Sequence, residues 1–261
     1  MSGTILTAID HSVATLTFHN PERHNSLSLQ MWQDAVSALD RFAEDNAVRA
    51  IVLTGSGTKS FASGADISEF DQVRANAQGA AIYDITLERF WKALSDHPKP
   101  TIAMIRGYCI GGGLNIAACC DLRVCGESSR FAVPAARLGL GYGAATLRRL
   151  MALVGPQFAL EMLLTARQFS SAEAQQMGLV NRVVPDGEVE TYVYGIVESI
   201  ARNAPLTMLA AKRVVHELLK DPGARDLAAS EALVRQCFDS EDYKEGRRAF
   251  LEKRAPTFTG R

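Results

Sequence analysis

Two short apolar runs constrain the fold of this 261-residue chain more than any other feature of its sequence. Residues 50–53 are wholly apolar and end at Thr54-Gly55, and residues 101–105 repeat the pattern after Pro100. A strand with one face in water alternates apolar and polar residues, whereas a strand covered on both faces is apolar throughout. The two runs therefore predict a parallel sheet covered by helices, which is the layout of an α/β protein.

The rest of the chain divides into a longer part with strands and a shorter part without them. Periodicity predicts a strand at residues 13–18, an amphipathic helix at 32–43, short strands at 122–124 and 179–180, and a capping box at Ser170 and Glu173. From about residue 187 the strand pattern stops and helical stretches follow. We therefore predict an α/β core over residues 1–190 and a helical region over residues 191–261, which either forms an oligomer interface or covers the sheet.

Composition and charge exclude several classes of function. The chain is 47% hydrophobic, and its formal net charge of −1 is unlike that of a nucleic-acid or membrane-surface binder. The N-terminal residues lack the basic head and apolar centre of a signal peptide, and no apolar run reaches the roughly 20 residues of a transmembrane helix. The cysteines form no CxxC pair, so we expect no disulfides, no metal site and a reducing, cytoplasmic setting.

Three consecutive glycines, Gly111, Gly112 and Gly113, precede an apolar stretch that is typical of a helix. Glycine is a poor helix former, so a run of three requires a reason. A P-loop would need Lys-Ser or Lys-Thr after the run, and a dinucleotide-binding loop would need GxGxxG; neither is present. Two explanations remain open, namely close packing of a strand on a helix, or backbone N–H groups directed at developing negative charge.

A second segment of the same kind, residues 61–70 (FASGADISEF), also follows a buried strand and a Gly-rich turn. The N–H groups at the start of a helix lack partners and lie at the positive end of the helix dipole. Two such starts side by side can place two N–H groups about 3 Å from one carbonyl oxygen, which stabilises an enolate or a tetrahedral oxyanion. Together the two turns favour an oxyanion hole.

Six segments carry a recognisable pattern. They are NPERHNSLS (20–28), FASGADISEF (61–70), KPTIAMIRGYCIGGGLNIAACCDLRV (99–124), FAVPAARLGLG (131–141), TARQFSSAEAQQMGLVNRVVP (165–185) and EGRRAFLEKRAP (245–256). Together they resemble the crotonase, or enoyl-CoA hydratase/isomerase, superfamily over essentially the whole chain. The resemblance implies a crotonase-type spiral of ββα units with a helical C-terminal trimerisation region, assembly as a homotrimer or as a hexamer (dimer of trimers), and an acyl-CoA thioester substrate.

By position, the resemblance assigns the oxyanion-hole donors to the backbone N–H groups of Ala65 and Gly112. Hydratases of this superfamily also use two glutamates as general acid and base on the added water. This chain has Asn115 and Ala135 at those positions. An amide transfers no proton near neutral pH and a methyl group transfers none at all, so standard hydration is not expected. Tyr142 matches a tyrosine of the methylmalonyl-CoA decarboxylase branch.

The resemblance also implies contacts with coenzyme A, which is part of the substrate, so no separate cofactor is expected. The matching positions are His24 and Asn25, the loop residues Gly64, Asp66 and Ile67, and Phe250 with Lys253, whose counterparts often reach coenzyme A from a neighbouring subunit. Taken alone, His24 is more typical of a surface turn than of a ligand contact. Ser68 stands where the family often has a lysine, so one phosphate contact is in question.

The chemistry that survives without the two glutamates needs only an oxyanion hole. Decarboxylation of a malonyl-type thioester leaves an enolate that the two amides would hold, with Asn115 and Tyr142 orienting the carboxylate. Glu69 and Arg137 are further candidates, although a solvated helix-start acid and a structural arginine explain them as well. We expect an enoyl-CoA hydratase/isomerase-family enzyme with a decarboxylase-like or other atypical lyase reaction; the alternative is an acyl-CoA-binding protein with little turnover.

Overall fold

The computed structural model describes residues 3–73 and 75–261. The strands are β1 (Thr4–Asp10), β2 (Val13–His19), β3 (Ala50–Gly55), β4 (Ser60–Ala62), β5 (Thr101–Ile105), β6 (Tyr108–Ile110), β7 (Leu122–Gly126), β8 (Arg130–Ala132), β9 (Phe169–Ser170) and β10 (Arg182–Val184). The α-helices are α1 (Leu29–Glu44), α2 (Phe70–Val73), α3 (Ala77–Ser95), α4 (Gly112–Cys119), α5 (Ala144–Thr165), α6 (Ser171–Gln176), α7 (Val189–Ala201), α8 (Pro205–Leu218), α9 (Leu227–Asp239) and α10 (Glu241–Glu252). Over the described ranges, none of these helices combines the length and the apolar character that a membrane crossing requires.

A six-stranded sheet in the order β1-β2-β3-β5-β7-β10 forms the centre of the molecule. β1 pairs antiparallel with β2, and the other neighbours are parallel. The two apolar runs are β3 and β5, and every residue of both strands is buried. One face packs against α7 through Val189, Val193 and Val197, and the opposite face packs against α1. The predicted parallel sheet, covered by helices on both faces, is confirmed.

Three consecutive ββα units build a second, smaller sheet beside the first. Each unit has a first strand in the larger sheet and a second strand in the smaller sheet, and a helix follows the second strand. The strand pairs are β3 with β4, β5 with β6, and β7 with β8. The smaller sheet has the order β4-β6-β8-β9, in which β4, β6 and β8 run parallel. This repetition is the spiral of ββα units that the resemblance implied. The carboxyl ends of β4, β6 and β8 consequently lie side by side at one edge.

Local sequence signals determine several helix ends. The hydroxyl oxygen of Ser28 accepts a hydrogen bond from the N–H of Met31 (3.2 Å) and so caps the start of α1. Ser170 and Glu173 form the predicted capping box at the start of α6. Gly178, with φ +81°, turns the chain after α6 in a conformation that favours glycine.

The strand predicted at residues 179–180 is wrong. Leu179 and Val180 are buried, but they lie in a loop where both N–H groups donate to the carbonyl oxygen of Ala174. The strand of this region is β10, which begins at Arg182. The two apolar side chains fill the core from a loop, and a buried pair of residues carries too little periodicity to distinguish the two cases.

Helix α7 shifts the boundary between the two parts of the chain. Its buried face packs on the six-stranded sheet, so the compact core extends to Ala201, and a division between residues 190 and 191 passes through the start of this helix. Helices α8 and α9 follow and pack against each other. Large apolar side chains of these last helices are exposed, including Phe238 (59%) and Phe250 (83%).

Candidate active site

The ends of three parallel strands bring the candidate site residues together. β4, β6 and β8 are neighbours in the smaller sheet, so the loops that follow them meet at one edge. Ala65 follows β4, Gly112 follows β6 and Ala135 follows β8, each within three residues of the strand end. The three positions are far apart in the sequence, and their strands are only three residues long.

The first predicted donor, the N–H of Ala65, is oriented by a β-bridge to Leu27. Leu27 donates its N–H to the carbonyl oxygen of Gly64 (2.8 Å) and accepts from the N–H of Asp66 (2.9 Å). Because successive backbone groups of an extended segment face opposite sides, the N–H of Ala65 points away from Leu27. Leu27 is therefore a positioning residue, and nothing in the sequence distinguishes it from other buried leucines.

The second predicted donor, the N–H of Gly112, belongs to the first residue of α4. Gly111 precedes it with φ +55° and donates its own N–H to the carbonyl oxygen of Ala132 (2.9 Å), which ties the turn to β8. The first N–H groups of a helix have no intrahelical acceptor. Within residues 3–73 and 75–261, no acceptor receives a hydrogen bond from the N–H of Ala65 or Gly112. Both groups are available to a ligand.

The two donor segments lie against each other. A methyl group placed on Gly112 would stand 3.0 Å from Cα of Gly64 and 3.5 Å from the nitrogen of Ala65. Gly113 differs, because a methyl group there would stand 2.0 Å from the carbonyl oxygen of Ala62, in β4. Both explanations that the sequence left open therefore apply to the glycine run. Gly112 allows the two donors to approach, and Gly113 allows α4 to pack on the neighbouring strand.

Asn115 lies near Gly112 in α4, and Tyr142 lies beside Asn115. Asn115 lies one turn beyond Gly112 in α4 and is half-buried. Tyr142, in the loop before α5, packs against the main apolar core and forms a hydrogen bond with Asn115. Burial raises the pKa of Tyr142, and the hydrogen bond with Asn115 offsets only part of that rise. The phenol is therefore neutral at physiological pH, where it donates and accepts hydrogen bonds but does not act as a base.

Ala135 and Arg137 lie in a short 3₁₀ turn, Pro134–Leu138, that follows β8. Ala135 is 5% exposed, whereas Arg137 is exposed to solvent. The turn therefore places a buried methyl group at position 135. The exposure of Arg137 agrees with a role outside the chemistry.

The acids that follow Ala65 have local partners. Asp66 accepts a hydrogen bond from the N–H of Ser68 (3.1 Å) and pairs with Arg23 (2.9 Å), whose guanidinium also donates to the Ser68 hydroxyl. Burial raises the pKa of Asp66, but the hydrogen bonds from Ser68 and Arg23 lower it more, so the net pKa lies below its ordinary value. Glu69 accepts from the N–H of Leu29 (3.2 Å) at the start of α1. Both carboxylates thus stabilise local structure.

Two residues expected to contact coenzyme A lie in the loop before Leu27. His24 and Asn25 both have positive φ, 51° and 55°. His24 is exposed, and its ring packs edge-on to Tyr108 with 5.7 Å between the ring centroids. The side chain of Asn25 is 1% exposed and makes three hydrogen bonds to backbone groups of neighbouring loops. Asn25 therefore shapes this loop, while His24 is accessible to a ligand.

Phe250 and Lys253, the other expected contacts, lie at the end of α10. Phe250 is 83% exposed, and Lys253 ends the helix with φ +55°. Phe250 lines an apolar groove of about 960 Å³ between α8, α9 and α10, together with Val215 and Phe238. Among the residues that the structure describes, the main packing partner of α10 is α9.

The cysteines of the core are free thiols. Cys109, Cys119, Cys120 and Cys125 are buried and free of disulfides. Burial raises the pKa of the Cys125 thiol to about 12, so this group stays protonated. In the part of the chain that the structure describes, no three His, Cys, Asp or Glu side chains are grouped so that they could hold a metal ion.

Several known proteins are similar to this chain along nearly its whole length. The profile of a family described as enoyl-CoA hydratase/isomerase matches residues 8–261. The 2,3-dehydroadipyl-CoA hydratase of Escherichia coli is 34% identical over 249 residues, which cover 95% of this chain and 96% of that protein. The short-chain-enoyl-CoA hydratase of Clostridium acetobutylicum is 33% identical over 242 residues, covering 93% and 92%. The crystal structure of an enoyl-CoA hydratase/carnithine racemase from Magnetospirillum magneticum has a TM-score of 0.92 at 37% identity, covering 99% of this chain and 96% of that one.

Proposed function

This chain belongs to the enoyl-CoA hydratase/isomerase family and has its crotonase-type fold, and we propose that it is an enzyme acting on an acyl-CoA thioester. In the proposed reaction the thioester carbonyl oxygen becomes an enolate oxygen that the N–H groups of Ala65 and Gly112 hold. The observation that carries the proposal is the meeting of these two N–H groups at adjacent turns, where neither has an acceptor among the described residues. Each preorganised donor of this kind is worth about 2.7–4 kcal/mol of transition-state stabilisation.

We propose a reaction other than standard hydration. Adding water across a double bond requires a base for the water and an acid for the α-carbon. Asn115 and Ala135 supply neither, and the raised pKa of Tyr142 keeps its phenol neutral. The groups beside the donor pair are therefore suited to orienting a substrate, while proton transfer is left to solvent.

Decarboxylation of a malonyl-type thioester fits these groups best. The bond between the α-carbon and the carboxylate carbon breaks, its electron pair enters the enolate, and CO₂ leaves. A proton from solvent then adds to the α-carbon. The Asn115 amide and the Tyr142 hydroxyl hold the carboxylate out of the thioester plane, where the breaking bond overlaps the carbonyl π system. Because neither group is charged, they orient the carboxylate without an ion pair that would stabilise the ground state.

Mass spectrometry of the products from a panel of acyl-CoA thioesters tests the proposal. We expect loss of CO₂ from methylmalonyl-CoA or another malonyl-type thioester. Crotonyl-CoA hydration should be at least about 10²-fold slower than in a relative with both glutamates. Hydration at the relative's rate would contradict the proposed reaction. Tight binding across the panel without any product would instead favour the second candidate, an acyl-CoA-binding protein. The lack of acid–base groups at 115 and 135 is the observation that favours this candidate.

We also propose assembly as a homotrimer, or as a hexamer of two trimers. Exposed apolar side chains are concentrated on α8–α10 and include Val215, Phe238, Phe250 and Leu251. Contiguous apolar surface of this kind marks protein interfaces. The proposed reaction uses no cofactor beyond the coenzyme A of the substrate, and its proposed setting is the cytoplasm. A stable monomer in light scattering at micromolar concentration would contradict the assembly.

A further inference from the structure

The last residues of the chain fold back on the first turn of α10. Asp242 lies in that turn and is 3% exposed. Its carboxylate accepts from the N–H of Thr259 (2.7 Å) and from the N–H of Gly260 (2.8 Å), and its own N–H donates to the carbonyl oxygen of Arg261 (3.1 Å). Gly260 has φ +82°, which lets successive N–H groups converge on one anion. We call Asp242 and residues 257–261 together the C-terminal clasp.

The C-terminal clasp also reaches two other parts of the molecule. The carbonyl oxygen of Phe258 accepts from a guanidinium nitrogen of Arg49 (2.9 Å), which directly precedes β3. A methyl group placed on Gly260 would stand 3.5 Å from Cγ of Pro205, at the start of α8. The Phe258 ring lies beside Gly246 of α10 and forms part of the groove wall. The clasp therefore connects α10 to α8 and to the residue that precedes β3 of the larger sheet.

The clasp compensates a buried charge. Among residues 3–73 and 75–261, no Lys, Arg or His lies within ion-pair distance of Asp242. Its carboxylate is instead stabilised by the tail amides and by the positive end of the α10 dipole. A buried carboxylate that loses its hydrogen-bond donors carries the full cost of desolvation. Without the tail, Asp242 must therefore turn to solvent, and the first turn of α10 loosens.

We propose that Asp242 is a positioning residue for the acyl-CoA site, because the C-terminal clasp sets the placement of α10 and hence of Phe250 and Lys253. This inference rests on the proposed function, since it takes those two residues as coenzyme A contacts. Phe250 is 83% exposed, so packing around its own ring does not hold it in place. Besides the packing of α10 on α9, the C-terminal clasp is the attachment of its first turn, and it therefore bears on where the end of the helix and both side chains project.

Two variants and a matched control test the clasp. Asp242→Ala removes both acceptors, and deletion of residues 258–261 removes the donors while leaving Asp242 able to reach solvent. Hydrogen exchange of the α10 amides should become roughly 10- to 100-fold faster in both variants, as expected for losing hydrogen bonds to a charged group. The KM for the acyl-CoA substrate should rise at least about threefold, with kcat within about twofold of wild type, because the donor pair is untouched. Glu241→Gln, which removes an exposed charge paired with Lys244 in the same turn, should change neither quantity.

The outcomes separate the clasp from the proposed function. Unchanged exchange of the α10 amides in the deletion variant would overturn the clasp itself. Faster exchange with an unchanged KM would overturn the positioning role. If the wild-type protein converts no acyl-CoA, the proposed function fails, and the Kd for coenzyme A measured by calorimetry replaces KM. The positioning role would then be overturned if the deletion leaves this Kd unchanged, or if the wild type does not bind coenzyme A. The clasp itself is tested only by hydrogen exchange of the α10 amides.

Discussion

Alanine substitution at Gly112 separates the donor pair from simple packing. The added methyl group would meet Cα of Gly64 at 3.0 Å and the nitrogen of Ala65 at 3.5 Å, contacts that relax when the loop moves by a few tenths of an ångström. Alanine is also favoured over glycine in a helix by roughly 1 kcal/mol, so the melting temperature should stay within about 3 °C of wild type. The same small movement separates the two N–H groups. Loss of one effective donor should lower kcat by about 10²–10³-fold.

Alanine at Gly113 is the matched control. Its methyl group would stand 2.0 Å from the carbonyl oxygen of Ala62, so backbone must move by more than about 1 Å to restore an ordinary contact. Overpacking of this kind costs roughly 1–3 kcal/mol, which corresponds to a fall of about 2–12 °C in the melting temperature at this chain length. The two neighbouring substitutions should therefore differ in their effect on stability: Gly112→Ala lowers kcat at a nearly constant melting temperature, whereas Gly113→Ala lowers the melting temperature, whether or not kcat falls with it.

The assay is turnover of the thioester that the substrate panel identifies, normalised to the folded fraction from thermal melts followed by circular dichroism. A Gly112→Ala protein that melts like wild type and retains near wild-type kcat would refute the assignment of this amide as a donor. If the activity of both variants falls only in proportion to their unfolded fraction, close packing alone explains the glycine run.

Three further changes test other parts of the protein. The double variant Asn115→Glu/Ala135→Glu should hydrate crotonyl-CoA roughly 10²-fold faster or more, and the loss of enoyl-thioester absorbance measures this rate. A folded variant whose rate does not rise would show that the pocket lacks hydratase geometry. Glu69→Gln should leave kcat unchanged because Glu69 caps α1, so a large fall would make it an acid or base. Burial lowers the pKa of His97 from 6.5 to about 4, so the unfolded chain binds more protons between these values. The free energy of unfolding should therefore fall by at most about 3 kcal/mol as the pH drops from 6.5 to 4. The His97→Gln variant should lack this part of the fall. An identical dependence of the unfolding free energy on pH in both proteins would disprove the role of His97.

The larger sheet could be predicted from the sequence because its strands carry a strong signal. The runs that form β3 and β5 are buried on both faces, and continuous apolar character over several residues is typical of that environment. The helix predicted at residues 32–43 is contained in α1, whose buried positions follow helical spacing. In each of these elements the pattern of apolar residues is enough to predict which positions are buried.

The smaller sheet could not be predicted in the same way, although it positions the candidate site. β4, β6 and β8 have three residues each, too few to show alternation. The glycine-containing turns after β4 and β6 still indicated two segments that meet in the structure, because glycine is costly in a helix and its presence requires an explanation. Leu27 and the C-terminal clasp gave no such signal. Their contacts are hydrogen bonds between distant segments, such as the one from the Arg49 guanidinium to the carbonyl oxygen of Phe258, and such bonds leave no local pattern in the sequence.

Both proposed donors are main-chain atoms, and this affects how such a site changes over generations. In the proposed reaction, a mutation at 115, 135 or 142 exchanges a side chain that lies near the reacting group. It leaves the amides of Ala65 and Gly112 in place, because three strand ends and the Leu27 bridge hold them. A lineage can therefore pass from one thioester reaction to another through intermediates that still stabilise an enolate. We expect descendants of this scaffold to diverge at 115, 135 and 142, and to keep glycine at 64 and 112.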